Sequence, residues 1–136
     1  MKNKYLIRKR LKEKRSSLSA NYCNSYEESI LKIVLRFIQK HNSSKIGLYV
    51  SFGNEVRTIK LMEKILSLEK EVYLPVQNFA NETLTFKQYS KDTNLIENQN
   101  KILEPEIGKE IDTEDLDIIF IPLLAFDKNL NRIGMG

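Results

Sequence analysis

The residues best suited to chemistry lie at the two ends of the chain and at one turn between them. Near the C-terminal end an apolar run, Leu116–Asp117–Ile118–Ile119–Phe120–Ile121–Pro122, passes through Leu123–Leu124–Ala125–Phe126–Asp127 to Asn131–Arg132–Ile133–Gly134–Met135–Gly136. Glycines at alternate positions beside an arginine let backbone N–H groups and a guanidinium close on a phosphate. At the other end Lys4 and Arg8 stand one helical turn apart, and Lys12 and Arg15 continue their face. A face this basic repels itself unless an anion lies against it. It reads either as a solvated surface or as a phosphate clamp. Contact with RNA or DNA is a third reading, but Tyr5 is the only aromatic of the segment and offers no stacking platform. Glu55 falls where a strand should give way to a helix. A carboxylate there is favoured by the helix dipole, and the same place in an α/β fold is where ligands bind, so a cap and a substrate contact are both open.

Composition excludes several alternatives. Cys23 is the only cysteine and His41 the only histidine, which leaves no internal disulfide, no Cys/His metal site and no histidine-based nucleophilic triad. His41 sits at a helix end, where a C-terminal cap accounts for it. A reducing, cytoplasmic setting is expected. The longest apolar stretch, Ile118 to Phe126, includes a proline and is too short to span a bilayer. No apolar segment of the kind found in a secretory signal follows the basic start. Residues 1–15 carry eight Lys/Arg against Glu13, a local +7 in a chain whose total is +4. The positive field is therefore confined to one end, unlike that of a diffuse nucleic-acid surface.

The surrounding pattern supplies the elements that must hold these residues. A helix is expected from Lys2 to Ser17, with a thin stripe of Ile7 and Leu11. A second ends near His41 and presents Ile30, Ile33, Val34, Phe37 and Ile38 on one face, with Ser25 and Glu28 as a capping box or Ser19 as the alternative N-cap. Lys45–Val50 reads as a strand and Ser51–Asn54 as a turn. A helix beginning at Glu55 or Val56 follows, up to Leu68. Glu71–Val76 is a second strand, and Thr83–Lys87 alternates as a half-buried strand near an edge. Tyr89–Gln99 has no convincing period. Ile102–Leu103–Glu104–Pro105 makes an extended corner. The seven acidic residues from Glu104 to Asp117 read as a solvated loop with no metal-ligand spacing. Strands alternating with helices imply one domain over residues 1–136, a three-layer α/β/α fold with a mostly parallel open sheet. Its carboxyl-end loops would carry the site.

Four pieces, in this order, resemble the 5-formyltetrahydrofolate cyclo-ligase (methenyltetrahydrofolate synthetase) family. They are Lys4–Tyr5–Leu6–Ile7–Arg8–Lys9, Tyr49 through Thr58, Ile102–Leu103–Glu104–Pro105, and Pro122–Asp127 with Arg132–Ile133–Gly134–Met135–Gly136. The resemblance implies an ATP- and Mg²⁺-dependent enzyme that converts 5-formyltetrahydrofolate to 5,10-methenyltetrahydrofolate, releasing ADP and phosphate. It implies that Lys4 and Arg8 contact ATP and that Arg132, Gly134, Met135 and Gly136 form the start of the phosphate loop, with Arg132 acting in catalysis. Val50 and Glu55 would contact the folate. Asp127 either binds nucleotide or metal indirectly or only fixes the turn before Arg132. The expected partner is this small-molecule substrate, without nucleic acid or membrane, and the expected state is a monomer. The resemblance identifies no metal ligand.

Three departures bear on this. The family usually has glycine where this chain has Lys101 and Leu130, and a required positive φ would penalise Leu130. After Arg-x-Gly-x-Gly the family continues with glycine, two tyrosines and an aspartate, then further strand and helix. Residues 1–136 alone are therefore expected to be inactive, and a non-enzymatic folate- or nucleotide-binding remnant is the rival reading.

Overall fold

The computed structural model describes residues 2–135. The chain runs α1 (Lys2–Ser16), α2 (Ala20–Lys40), β1 (Lys45–Gly47), α3 (Ile59–Ser67), β2 (Glu71–Asn78), β3 (Thr83–Tyr89), β4 (Leu95–Glu97), β5 (Leu103–Pro105), β6 (Glu110–Ile111), β7 (Ile118–Ile119), β8 (Ala125–Phe126) and β9 (Arg132–Ile133). A 3₁₀ turn over Thr113–Asp115 precedes β7. The central sheet has the order β6-β3-β2-β1-β7. Strand β1 pairs in parallel with both β2 and β7, and β3 adds to β2 antiparallel, as β6 does to β3. This is the expected α/β fold with a mostly parallel central sheet, extended on one side by antiparallel strands. No helix among the described residues is long and apolar enough to cross a membrane.

The core lies between the sheet and two helices. Ile46, Leu48, Val72 and Leu74 meet Ile38 of α2 and Leu61, Met62 and Ile65 of α3, all essentially without solvent contact. Alternation along β2 sends Val72 and Leu74 into this cluster. Gly47, on β1, has no side chain because the space is taken: a Cβ there would stand 3.2–3.3 Å from Ile119, Leu116 and Phe86.

Two helix starts differ from expectation. Helix α2 is capped by Ser19, whose hydroxyl accepts from the Tyr22 N–H, so Ser25 lies inside the helix and the capping-box alternative falls. Helix α3 begins at Ile59 rather than at Glu55 or Val56. The buried Thr58 hydroxyl donates to the Tyr49 carbonyl at 2.6 Å, and the Tyr49 hydroxyl donates to the Val56 carbonyl at 3.0 Å. These bonds hold the residues before Thr58 against β1's exit as a loop. Glu55 is consequently not at a helix N-terminus, and the dipole explanation for it does not apply.

The acidic stretch is not uniformly a solvated loop. Asp117 Oδ2 accepts from the N–H groups of Ser44 and Lys45 (both 2.9 Å) and from the Ser44 hydroxyl (3.1 Å), which ties β7 to β1's entrance. The Lys45 and then the Ser44 backbone bonds hold its carboxyl below the usual range. A lowered folded value means stabilisation that is complete above the unfolded carboxyl's titration and is lost as acid titrates past the folded one. Asp117→Asn is expected to cost about 1 kcal/mol at neutral pH, since solvent screens this exposed group. Urea unfolding at falling pH should show the two proteins converging in the acid range.

Candidate active site

The exit of β1, the end of α1 and the segment after β7 converge on one hollow. It encloses about 530 Å³. One wall is Pro122–Phe126, which follows β7; another is Tyr22, Cys23 and Tyr26 of α2; Tyr49, Glu55, Val56 and Arg57 close a third, and Arg15 reaches in from α1. Tyr22 and Tyr26 are one helical turn apart and stack with ring centroids at 6.0 Å. Aromatic and apolar walls with a few carboxylates and guanidiniums suit a flat, polar-edged organic ligand bearing acidic groups.

The turn Phe52–Glu55 sets the position of Glu55. Gly53 takes φ +58°, the left-handed conformation that glycine adopts at little cost. Glu55 Oε2 accepts from the Phe52 N–H at 2.9 Å, so one carboxylate oxygen braces its own turn while the half-buried side chain lines the hollow. Burial pushes the Tyr49 hydroxyl up to about 12, with the nearby Glu55 charge adding to the rise and Arg15 opposing it. Tyr49 thus senses both charged groups and stays a neutral donor at physiological pH.

The two ends of the chain meet. Arg8 Nε donates to the Gly134 carbonyl at 3.2 Å, and an Arg15 Nη atom lies 2.9 Å from Met135 Sδ. The Asn54 side chain also donates to the Arg15 carbonyl at 3.0 Å, joining α1 to the Glu55 turn. Lys4 is exposed one turn before Arg8. Gly134 faces open space: a Cβ there would meet nothing within 4 Å, which leaves its backbone approachable by a ligand. Arg132 is exposed on β9 and is not part of the hollow's lining. Gly136 lies outside the described residues. Val50 packs against the core and does not line the hollow.

Sequence reasoning missed Tyr22, Tyr26 and Glu27, which no local pattern marks, and gave Arg57 no role although it lies in the Tyr49–Thr58 piece. Arg15 was visible only as the last member of the basic face. The β8–β9 hairpin was also missed, and it gives Asp127 a structural role. Asp127 Oδ1 accepts from the N–H groups of Asn129 (2.8 Å) and Asn131 (2.9 Å), and Oδ2 from the Asn131 side-chain amide (2.8 Å). The Asn131 bonds above all hold its carboxyl below the usual range. The carboxylate fixes the hairpin turn. Among the described residues no group of three or more His, Cys, Asp or Glu could hold a metal ion.

Leu130 completes that turn at φ 63°, and Lys101 takes φ 59° beside the β4–β5 hairpin. The left-handed conformation does occur at both positions where glycine was expected. It costs an L-residue about 1–2 kcal/mol, against about 0.5–1 kcal/mol for the extra flexibility of glycine. Leu130→Gly is therefore expected to raise the unfolding free energy by about 0.5–1 kcal/mol, read as an increase in Tm.

Comparison with known proteins bears on the family and the fold. The sequence matches the 5-formyltetrahydrofolate cyclo-ligase family over residues 1–136. It is 37% identical over 133 residues to the 5-formyltetrahydrofolate cyclo-ligase of Haemophilus influenzae, covering 96% of this chain and 71% of that one. The Escherichia coli enzyme of the same name is 35% identical over 94 residues, 67% of this chain and 52% of the relative. This chain thus matches between about half and about seven-tenths of the length of these relatives. The solution structure of Aquifex aeolicus 5,10-methenyltetrahydrofolate synthetase superposes with a TM-score of 0.85 at 28% identity, covering 98% of this chain and 67% of that one. The Mycoplasma pneumoniae synthetase shares the fold at a TM-score of 0.77 and 21% identity. With the family matched over the whole of residues 1–136 and a relative at 37% identity over 96% of the chain, the chain belongs to the 5-formyltetrahydrofolate cyclo-ligase family.

Proposed function

We propose that this chain binds 5-formyltetrahydrofolate in the hollow beside Glu55 and MgATP beside Arg8 and Gly134, for the ATP-dependent formation of 5,10-methenyltetrahydrofolate. The observation that carries this reading is the junction of the chain's ends, where Arg8 and Arg15 meet Gly134 and Met135 at the border of the folate-sized hollow.

The reaction transfers the γ-phosphoryl group to the formyl oxygen, with the bond to the ADP oxygen breaking. N10 then attacks the formyl carbon, the carbon–oxygen bond releases phosphate, and the N10 proton is lost. Phosphoryl transfer asks the protein mainly to position the reactants and to neutralise charge. Arg8 and Lys4 supply positive charge from α1, and the backbone around Gly134 offers room for close approach. Arg132, carried on the same hairpin, is the candidate to meet the transferred group once loop and nucleotide are together. The free oxygen of Glu55 accepts from the pterin N–H donors, and the neutral Tyr49 hydroxyl lends no competing charge. The apolar wall Pro122–Phe126 keeps water from the activated carbon. Val50, next to Tyr49 in sequence, packs against the core and is not in the hollow's lining, so it takes no direct role in this reading.

The chain is expected to bind both substrates, 5-formyltetrahydrofolate in the hollow and MgATP at the Arg8–Gly134 junction. The test is purified chain with MgATP and 5-formyltetrahydrofolate, followed by calorimetry for binding and by absorbance of the methenyl product. Failure to bind either substrate would refute the functional reading.

A further inference from the structure

Arg57 is held in a way that the reaction itself does not require. Its Nη1 donates to Asn24 Oδ1 of α2 at 2.9 Å and lies 3.6 Å from Glu27 Oε2. The Glu27 side chain is only 8% exposed, whereas that of Arg57 is 47% exposed. A buried carboxylate thus fixes a guanidinium that remains open to solvent. Among the described residues the other nitrogens of Arg57 donate to nothing. Arg57 and Glu27 also form a shared wall: both line the main hollow and both line a second hollow of about 440 Å³ on the far side. That second hollow carries Lys60, which pairs loosely at 3.5 Å with the exposed Glu28.

We propose that Arg57 is a carboxylate-binding residue that receives the glutamate tail of the folate, with Glu27 and Asn24 as positioning residues that aim it. This deepens the functional reading above and rests on it. The ligand of that reading is elongated, with a pterin at one end and a dianionic glutamate at the other. Its pterin is assigned to Glu55, so the acidic end must leave the main hollow elsewhere. Arg57 stands at the only wall shared with a second hollow among those described, and it has an unused edge with the fork geometry that a carboxylate fits. Glu27 and Asn24 occupy one edge, which prevents the side chain from swinging into water and reduces the ordering cost of binding. The second hollow, with Lys60 at its side, gives room for further γ-linked glutamates beyond the first.

The experiment compares dissociation constants for 5-formyltetrahydrofolate and for 5-formyltetrahydropteroate, which lacks the glutamate. Wild type is expected to prefer the glutamate-bearing ligand about tenfold, as a charge-assisted contact at a half-exposed site warrants. Arg57→Ala should abolish that preference while leaving the pteroate compound's affinity unchanged. Arg57→Lys should restore part of it, and Glu27→Gln should reduce it by loosening Arg57. Equal weakening of both ligands by Arg57→Ala would mark a merely structural residue and overturn the proposal, as would an unchanged preference. If wild type binds neither compound, the folate reading itself fails. Binding of both with no preference sinks only the role given to Arg57.

Discussion

Replacing Glu104 by alanine is expected to lower the unfolding free energy by about 2–4 kcal/mol, among the largest effects of any single polar substitution in this chain. The cause lies in the way β2 outruns β1. Glu71 donates its N–H to the Ser44 carbonyl and Tyr73 accepts from the Leu48 N–H, so the odd-numbered residues of β2 turn their backbone groups toward the β1 side. Strand β1 ends at Gly47, opposite Tyr73. The next odd-numbered position is Pro75, which has no N–H to leave unpaired. The one after is Gln77, whose N–H would be orphaned. Glu104 Oε1 accepts that N–H at 2.9 Å and also takes the Asn98 side-chain amide at 2.6 Å. The side chain is buried, and it joins the β4–β5 hairpin to the main sheet. Alanine would strand the Gln77 N–H and the Asn98 amide together. Glu104→Gln keeps the shape and one acceptor, and should cost roughly half as much. Equilibrium urea denaturation decides it: a loss below about 0.5 kcal/mol for Glu104→Ala would mean that water replaces the carboxylate at Gln77.

The same region shows what the sequence could and could not reveal. The extended corner Ile102–Pro105 was legible because proline restricts its predecessor, but its purpose was not. Nothing local says that Glu104 reaches a strand more than twenty residues earlier in the chain. The apolar strands and the buried part of the helical faces, Ile38, Met62 and Ile65, were legible because they follow periods of 2 and 3.6, whereas Ile33, Phe37 and Ile59 fit the period and stand exposed. Strand lengths were not legible, since β1 stops where its neighbour's pairing stops. The late start of α3 depends on Tyr49 and Thr58 bonding across a loop, a tertiary effect that overrides the dipole argument at Glu55. At the site, the charged residues on regular helical spacing, Arg8 and Arg15, were legible as a face. The family resemblance put Arg8 and the Gly134 loop on one nucleotide, whereas the contact of Arg15 with Met135 was not expected. Glu27 carries no motif and Arg57 no assigned role within the Tyr49–Thr58 piece, and their pairing depends on how α2 lies against the segment before α3.

Arg8→Ala is expected to weaken ATP binding by about 10–100-fold, while leaving 5-formyltetrahydrofolate affinity within about twofold. A solvated basic face and a phosphate clamp differ in what single charges do. On a solvated face each lysine or arginine adds a similar, salt-screened share to one field. In a clamp, a held guanidinium outweighs the exposed charges around it. Arg8 is the held one: it is half-buried, and its Nε is bonded to the Gly134 carbonyl while Lys4, Lys9, Arg10 and Lys12 stand exposed. That bond turns the remaining guanidinium edge and the loop backbone toward one place, and an anion there would meet both. Arg8→Lys keeps the charge but not the Nε bond, so it should recover only part of the loss. Arg10→Ala removes an equal charge two residues away and should change ATP affinity less than about twofold at physiological salt. Equal losses for Arg8→Ala and Arg10→Ala would return the segment to a solvated face. Separation of the two makes Arg8 a specific ligand, and Gly134→Ala then isolates the loop's share. With nothing within 4 Å of its Cβ position, that substitution should leave stability unchanged and weaken nucleotide binding only where phosphate must approach the backbone.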